Sequence, residues 1–153
     1  MPKYYKKKYY YPSSRDKYSV EQQSGVFELG AAGSQAVVQI VPDTAIQGMR
    51  KVKHLTVSIA GDASGGAGWW ALVYVPQGTS PNTLNLTGTT GMYEPNQFVM
   101  NCGTYDAAAG PVRFHSPVSR NLNSGDRIYL ILANADTVAR NYIYCVRYAI
   151  TLQ

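Results

Sequence analysis

From Val26 onward the chain alternates short runs of β-branched and aromatic residues with clusters of turn-forming residues. Eight runs read as strands: "VFEL", "QAVVQIV", "RKVKHLTVSI", "WWALVYV", "QFVMNCGTY", "VRFHS", "RIYLILA" and "RNYIYCVRYAITL". Between them lie "GAAGS", "PDTAIQG", "GDASGGAG", "PQGTSPNTLNLTGTTG", "DAAAGP", "SPVSRNLNSGD" and "NADTVA", rich in Gly, Pro, Asn, Asp, Ser or small residues. Helical periodicity is nowhere sustained, and the prolines at 42, 76, 81, 95, 111 and 117 fall at run ends or in loops. The pattern predicts an all-β sandwich, with jelly-roll and immunoglobulin-like topologies both open.

Within several runs the alternation is clean. Leu55, Val57 and Ile59 share one face, as do Val112 and Phe114, while Arg113 and His115 point the other way. Elsewhere both faces are apolar: "WWALVYV" has no polar side, and the last run sets Tyr142, Tyr144, Val146, Tyr148 and Ile150 against Ile143, Cys145 and Ala149. Such strands imply either burial by a second subunit as well as by the core, or a thick single core with amphipathic tyrosines at its margin.

Charge changes the picture at one end. The 153 residues suffice for one domain, only 15% of them are charged, and the formal net charge is +5. Lys3, Lys6, Lys7, Lys8, Arg15 and Lys17 stand against Asp16, whereas from residue 19 onward eight basic and eight acidic residues cancel. Residues 1–24 lack hydrophobic periodicity and are expected to form a flexible basic arm ahead of a folded body at 25–153. The stretch "PKYYKKKYYYP" interleaves its four lysines with Tyr4, Tyr5, Tyr9, Tyr10 and Tyr11. Lysines neutralise phosphates without reading sequence, and tyrosine rings offer stacking platforms to unpaired bases, so the arm suits a single strand better than a duplex. "KKK" is also compatible with a nuclear import signal.

Other candidate chemistry is thin. Cys102 and Cys145 lack C-x-x-C spacing; one disulfide is open to them, and the usual burial of free cysteine favours two buried thiols. "GAGWWA" (66–71), with Glu94 downstream, matches a dinucleotide fingerprint in letters but leads into a Trp-rich strand instead of a helix. His54 and His115 lack metal-site spacing and read as surface or interface histidines. Asp62, Glu94, Asp106, Asp126 and Asp136 fall in or near loops where neighbouring subunits could share calcium, although turns themselves select aspartate. No nucleophile, base and oxyanion-donor set presents itself, so the chain reads as a non-enzyme without a cofactor. It has neither an apolar run long enough to span a bilayer nor a signal-peptide h-region, which predicts a soluble protein made inside the cell, with no membrane partner. The sequon Asn85-Leu86-Thr87 would matter only on secretion.

Three phrases, "WWALVYVPQGTSPNTLNL", "MYEPNQFVMNCGTYD" and "VRFHSPVSRNLNSGDRIYLIL", resemble capsid proteins of small circular single-stranded DNA viruses related to circoviruses. The resemblance covers most of residues 25–153. It implies a single eight-stranded jelly roll that self-assembles into an icosahedral T=1 shell or virus-like particle of about 60 copies. It further implies a place in the virion, with the host nucleus as the site of assembly, and an inward-facing arm that packages a single-stranded DNA genome. The nucleic-acid-binding residues expected are those of the arm, Lys3 to Lys8, Tyr9, Tyr10, Tyr11, Arg15 and Lys17, together with Arg113 on a strand face. The arm departs from the long arginine-rich arms of circovirus capsid proteins in being short and built from lysine and tyrosine. A host receptor is not specified by any of these residues. The competing reading is a monomeric β-sandwich module that holds carbohydrate on its aromatic residues.

Overall fold

The computed structural model describes residues 17–31, 33–61, 66–80, 98–106 and 110–151. These residues form nine strands and no helix: β1 (Tyr18–Leu29), β2 (Gln35–Val41), β3 (Arg50–Gly61), β4 (Ala67–Val75), β5 (Val99–Asp106), β6 (Val112–Ser116), β7 (Arg120–Leu122), β8 (Arg127–Asn134) and β9 (Arg140–Thr151). One sheet has the order β1-β9-β3-β6, with β7 also on β3; the other has the order β2-β8-β4-β5. We call them the first and second sheets.

Pairing is nested and antiparallel: β1 with β9, β2 with β8, β3 with β6 and β7, β4 with β5. The chain is thus one long hairpin wound across two sheets, which is a jelly roll. An immunoglobulin sandwich puts its first and last strands in opposite sheets. Here β1 and β9 are neighbours from Tyr18↔Thr151 to Leu29↔Arg140, and that settles the topology.

β6 and β7 lie end to end along β3, the first opposite Leu55–Ile59 and the second opposite Arg50–Val52. Pro117 falls between them and has no amide hydrogen to give the ladder. The two pieces therefore fill one strand position, giving the eight-position sandwich that the sequence predicts, although "SPVSRNLNSGD" had read as loop throughout.

The core lies between the sheets, where Leu55, Val57 and Ile59 of β3 and Tyr142, Tyr144 and Val146 of β9 face Trp70 and Leu72 of β4 and Leu130 and Leu132 of β8. Trp70 stacks on Phe114 at 4.1 Å and Tyr105 meets Tyr142 edge-on at 5.4 Å. Each fully buried aliphatic side chain of this kind contributes about 1.5–3 kcal/mol.

Three expectations need correction. Ala71, Val73, Val75, Ile131 and Ala133, on the other face of the second sheet, are themselves buried, packed with Val37, Trp69 and Tyr129. The doubly apolar "WWALVYV" therefore does not require a second subunit to cover it. Tyr18–Ser24, assigned from sequence to the arm, are the first half of β1. The polar residues Ser19, Glu21 and Gln23 take the inward-parity positions there, so hydrophobic alternation gave no sign of a strand. Finally, Cys102 and Cys145 are free but only half-buried. Cys145 has the outward parity of the first sheet and Cys102 packs on the outer face of the second, so the core lies between them and no disulfide joins them.

Candidate nucleic-acid interface

The first sheet has an outer face whose composition follows from strand parity. Because Tyr142, Tyr144, Val146, Tyr148 and Ile150 point inward, the intervening residues of β9 point out, and the register carries that assignment across the sheet. Ala149 lies between Val20 and Lys53; Arg147 lies between Gln22 and Thr56, with His115 beyond Thr56; Cys145 lies between Ser24 and Ser58, with Arg113 beyond Ser58. Lys51 extends the same parity on β3, its amide donating to the Thr151 hydroxyl at 2.7 Å. Successive rows are about 6.8 Å apart.

Lys51, Lys53, Arg113 and Arg147 therefore share one face. Lys53 reaches over the ring of Tyr18, 3.5 Å from its centroid. No described carboxylate pairs with Arg113 or Arg147, and Glu28, at the far end of β1 opposite Asn141, is the one acid on this parity among the described residues. Like charges gathered without acidic partners repel one another, a cost that a polyanion removes.

The remaining four cations of the body are engaged within the chain. Arg50 donates to the Pro42 carbonyl, Arg120 lies over the Tyr74 ring, Arg127 donates to the Thr79 carbonyl, and Arg140 pairs with Asp136 at 2.9 Å. Beyond the cationic rows, Val26 and Ile143 face each other across β1 and β9, 66% and 59% exposed.

His54 and His115 rise from the same face. Main-chain pairing of β3 with β9 slips between Lys53 and Thr56, and His54, in that bulge, has φ 56°, the one positive value at a non-glycine among the described residues. Its ring lies near-parallel to that of His115, with centroids 6.4 Å apart, and Nδ1 of His115 is 3.1 Å from the Thr56 hydroxyl.

Of the binding residues expected from sequence, Arg113 falls on this face and is exposed, while Lys17, also exposed, precedes β1 and is held in no pairing that would put it there. Lys3, Tyr4, Tyr5, Lys6, Lys7, Lys8, Tyr9, Tyr10, Tyr11 and Arg15 lie outside the described residues. Lys51, Lys53 and Arg147 were missed, although "KVK" already placed Lys51 and Lys53 on the side opposite Val52.

Two of the loop carboxylates have partners within the chain, and Asp106 ends β5 opposite Ala67. Asp126 is buried and accepts from the Tyr74 hydroxyl and from the amides of Asn123 and Gln77. The Arg140 guanidinium beside Asp136 holds that carboxyl below the usual carboxylate range. Asp62 and Glu94 lie outside the described residues, and no three His, Cys, Asp or Glu gather into a metal-binding group among those described. The glycines of "GAGWWA" have a packing role: a Cβ on Gly68 would run into the Ala133 carbonyl, and one on Gly66, at φ 150°, into the Tyr142 hydroxyl. A cavity of about 320 Å³ beside Tyr74, Val75, Pro76 and Phe98 is mainly apolar, and the Tyr74 hydroxyl is committed to Asp126.

No family model matches the chain, and no curated protein does. Among solved structures, the decameric BFDV capsid protein aligns with 91% of this chain and 100% of its own, at 10% identity and a TM-score of 0.48. Bacillus endospore appendages, a family of disulfide-linked pili, align with 90% of this chain and 92% of their own, at 18% identity and a TM-score of 0.34. The jelly-roll assignment stands on the strand order.

Proposed function

We propose that this chain is a viral capsid protein whose jelly rolls assemble into a closed icosahedral shell around single-stranded DNA. The DNA is held by the N-terminal arm and by the outer face of the first sheet. The observation that carries the reading is the gathering of Lys51, Lys53, Arg113 and Arg147 on the outer face of the first sheet, where no described carboxylate pairs with Arg113 or Arg147, while the other four cations of the body lie off that face. A row of lysines and arginines on a pleated surface grips phosphates without reading sequence, as packaging demands.

Assembly is supported by the sequence resemblance and by the low charge content of 15%. About 60 identical subunits close the smallest icosahedral shell. The face that bears the arm points inward in this arrangement, and the particle is the virion, put together in the host nucleus if the lysine run serves as an import signal.

Negative-stain microscopy and sedimentation of the purified full-length protein test this. Closed particles that shield single-stranded DNA from nuclease are expected. A 16.8 kDa monomer persisting at high concentration across pH and salt would overturn the capsid reading.

A further inference from the structure

Two imidazole rings stand on the cationic face with their planes 18° from parallel and their centroids 6.4 Å apart. The core of the same molecule shows what direct contact looks like: Trp70 and Phe114, at a similar interplanar angle of 22°, lie 4.1 Å apart. The histidines are thus aligned without being stacked face to face, and both residues are exposed. We propose that His54 and His115 form a stacking site for one unpaired nucleobase, with Lys53, Arg147 and Arg113 holding the phosphates on either side of it. This rests on the reading of the sheet face as a nucleic-acid surface and adds to it the point at which a base is taken.

Three features hold the rings ready. The bulge in β3 gives His54 a left-handed backbone, an arrangement of some energetic cost that persists only where its surroundings enforce it. Thr56 engages Nδ1 of His115, limiting rotation of that ring about its side-chain bonds. Pro117 ends β6 just past this point, so no ladder continues on β6 beside the bulge. The registers place Arg147 and His115 on either side of Thr56, and Arg113 on the next row, so a strand crossing the sheet meets cations before and after the rings. Any base has a π-face to offer, so the site would be tolerant of sequence. It needs an unstacked base, so duplex DNA would be excluded.

Photo-crosslinking of the full-length protein to single-stranded oligonucleotides carrying 5-iodouracil, followed by peptide mass mapping, tests the assignment. Adducts on His54 or His115 are expected. In titrations with the same oligonucleotides, the His54→Asn/His115→Ala variant should bind about tenfold more weakly with an unchanged salt slope. Asparagine tolerates the left-handed backbone at position 54. His115→Ala alone leaves the bulge untouched and should show part of the loss, while His115→Tyr, which keeps a ring, should bind like the parent. Adducts confined to other residues, or ring-less variants that bind as tightly as the parent, would overturn the stacking site and leave the cationic face standing. A parent protein that binds no single-stranded DNA would overturn both.

Discussion

The hydroxyl of Tyr74 donates to Oδ2 of Asp126 at 2.8 Å, and the same carboxylate receives the amides of Asn123 at 2.7 Å and Gln77 at 3.1 Å. One buried acid thereby ties the end of β4 to the turn between β7 and β8. Asp126→Ala would strand three donors at once and should cost about 3 kcal/mol, whereas Tyr74→Phe removes a single donor and should cost about 1 kcal/mol. Urea unfolding of the two variants measures the difference.

Alkaline pH should unfold the sandwich through its tyrosines. Burial, and for Tyr74 the hydrogen bond and charge of Asp126, raise the pKa of Tyr74, Tyr105 and Tyr148 above the ordinary value. A raised folded-state value means that the folded protein holds the proton more tightly than the unfolded chain. The contribution is therefore complete below a pH of about 10 and is lost as pH climbs beyond it. Tyrosinate absorbance should rise together with loss of the β-sheet circular dichroism signal, and Tyr105→Phe should shift that transition to higher pH.

Gly68→Ala tests the packing role of the glycine-rich entry to β4. The added methyl meets the Ala133 carbonyl and, at 2.6 Å, the Tyr105 hydroxyl, neither of which can retreat without disturbing β8 or the core. A loss of about 1–3 kcal/mol by calorimetry is expected.

For the cationic face, Lys53→Ala, Arg113→Ala and Arg147→Ala should each lower the slope of log K against log salt by about one for single-stranded DNA. Arg127→Ala, on the second sheet, should leave it unchanged.

Within the arm, the lysines and tyrosines should fail differently. Replacing Lys3, Lys6, Lys7 and Lys8 by alanine should weaken all nucleic-acid binding and flatten its salt dependence. Replacing Tyr4, Tyr5, Tyr9, Tyr10 and Tyr11 should cost on the order of 1 kcal/mol per stacked ring on single strands, with the salt slope nearly intact. Filter binding at several salt concentrations separates the two.

The all-β class and most strands were legible because each core-facing run carries its own signal in β-branched and aromatic residues. β7 escaped because three residues, Arg120–Leu122, are too few to show a period and stand next to Pro117. The start of β1 escaped because its inward-parity positions are polar; Gln23 there meets the Tyr144 hydroxyl at 3.4 Å in place of an apolar contact. The cationic face was legible only in fragments. Lys53, Arg113 and Arg147 sit on three strands far apart in the chain, and the register that gathers them depends on a bulge, which single-sequence alternation does not reveal.

The nested hairpin has a consequence for synthesis. β9, the final strand, lies in the middle of the first sheet with β1 on one side and β3 on the other. A ribosome-bound or prematurely terminated chain lacks that strand, so β1 has nothing to pair with and the first sheet cannot form whole. Contacts that join the first residues to the last also make folding slow. Only chains translated through β9 can present a finished first sheet, so a shorter fragment lacks the row that brings Arg147 beside Thr56 and His115.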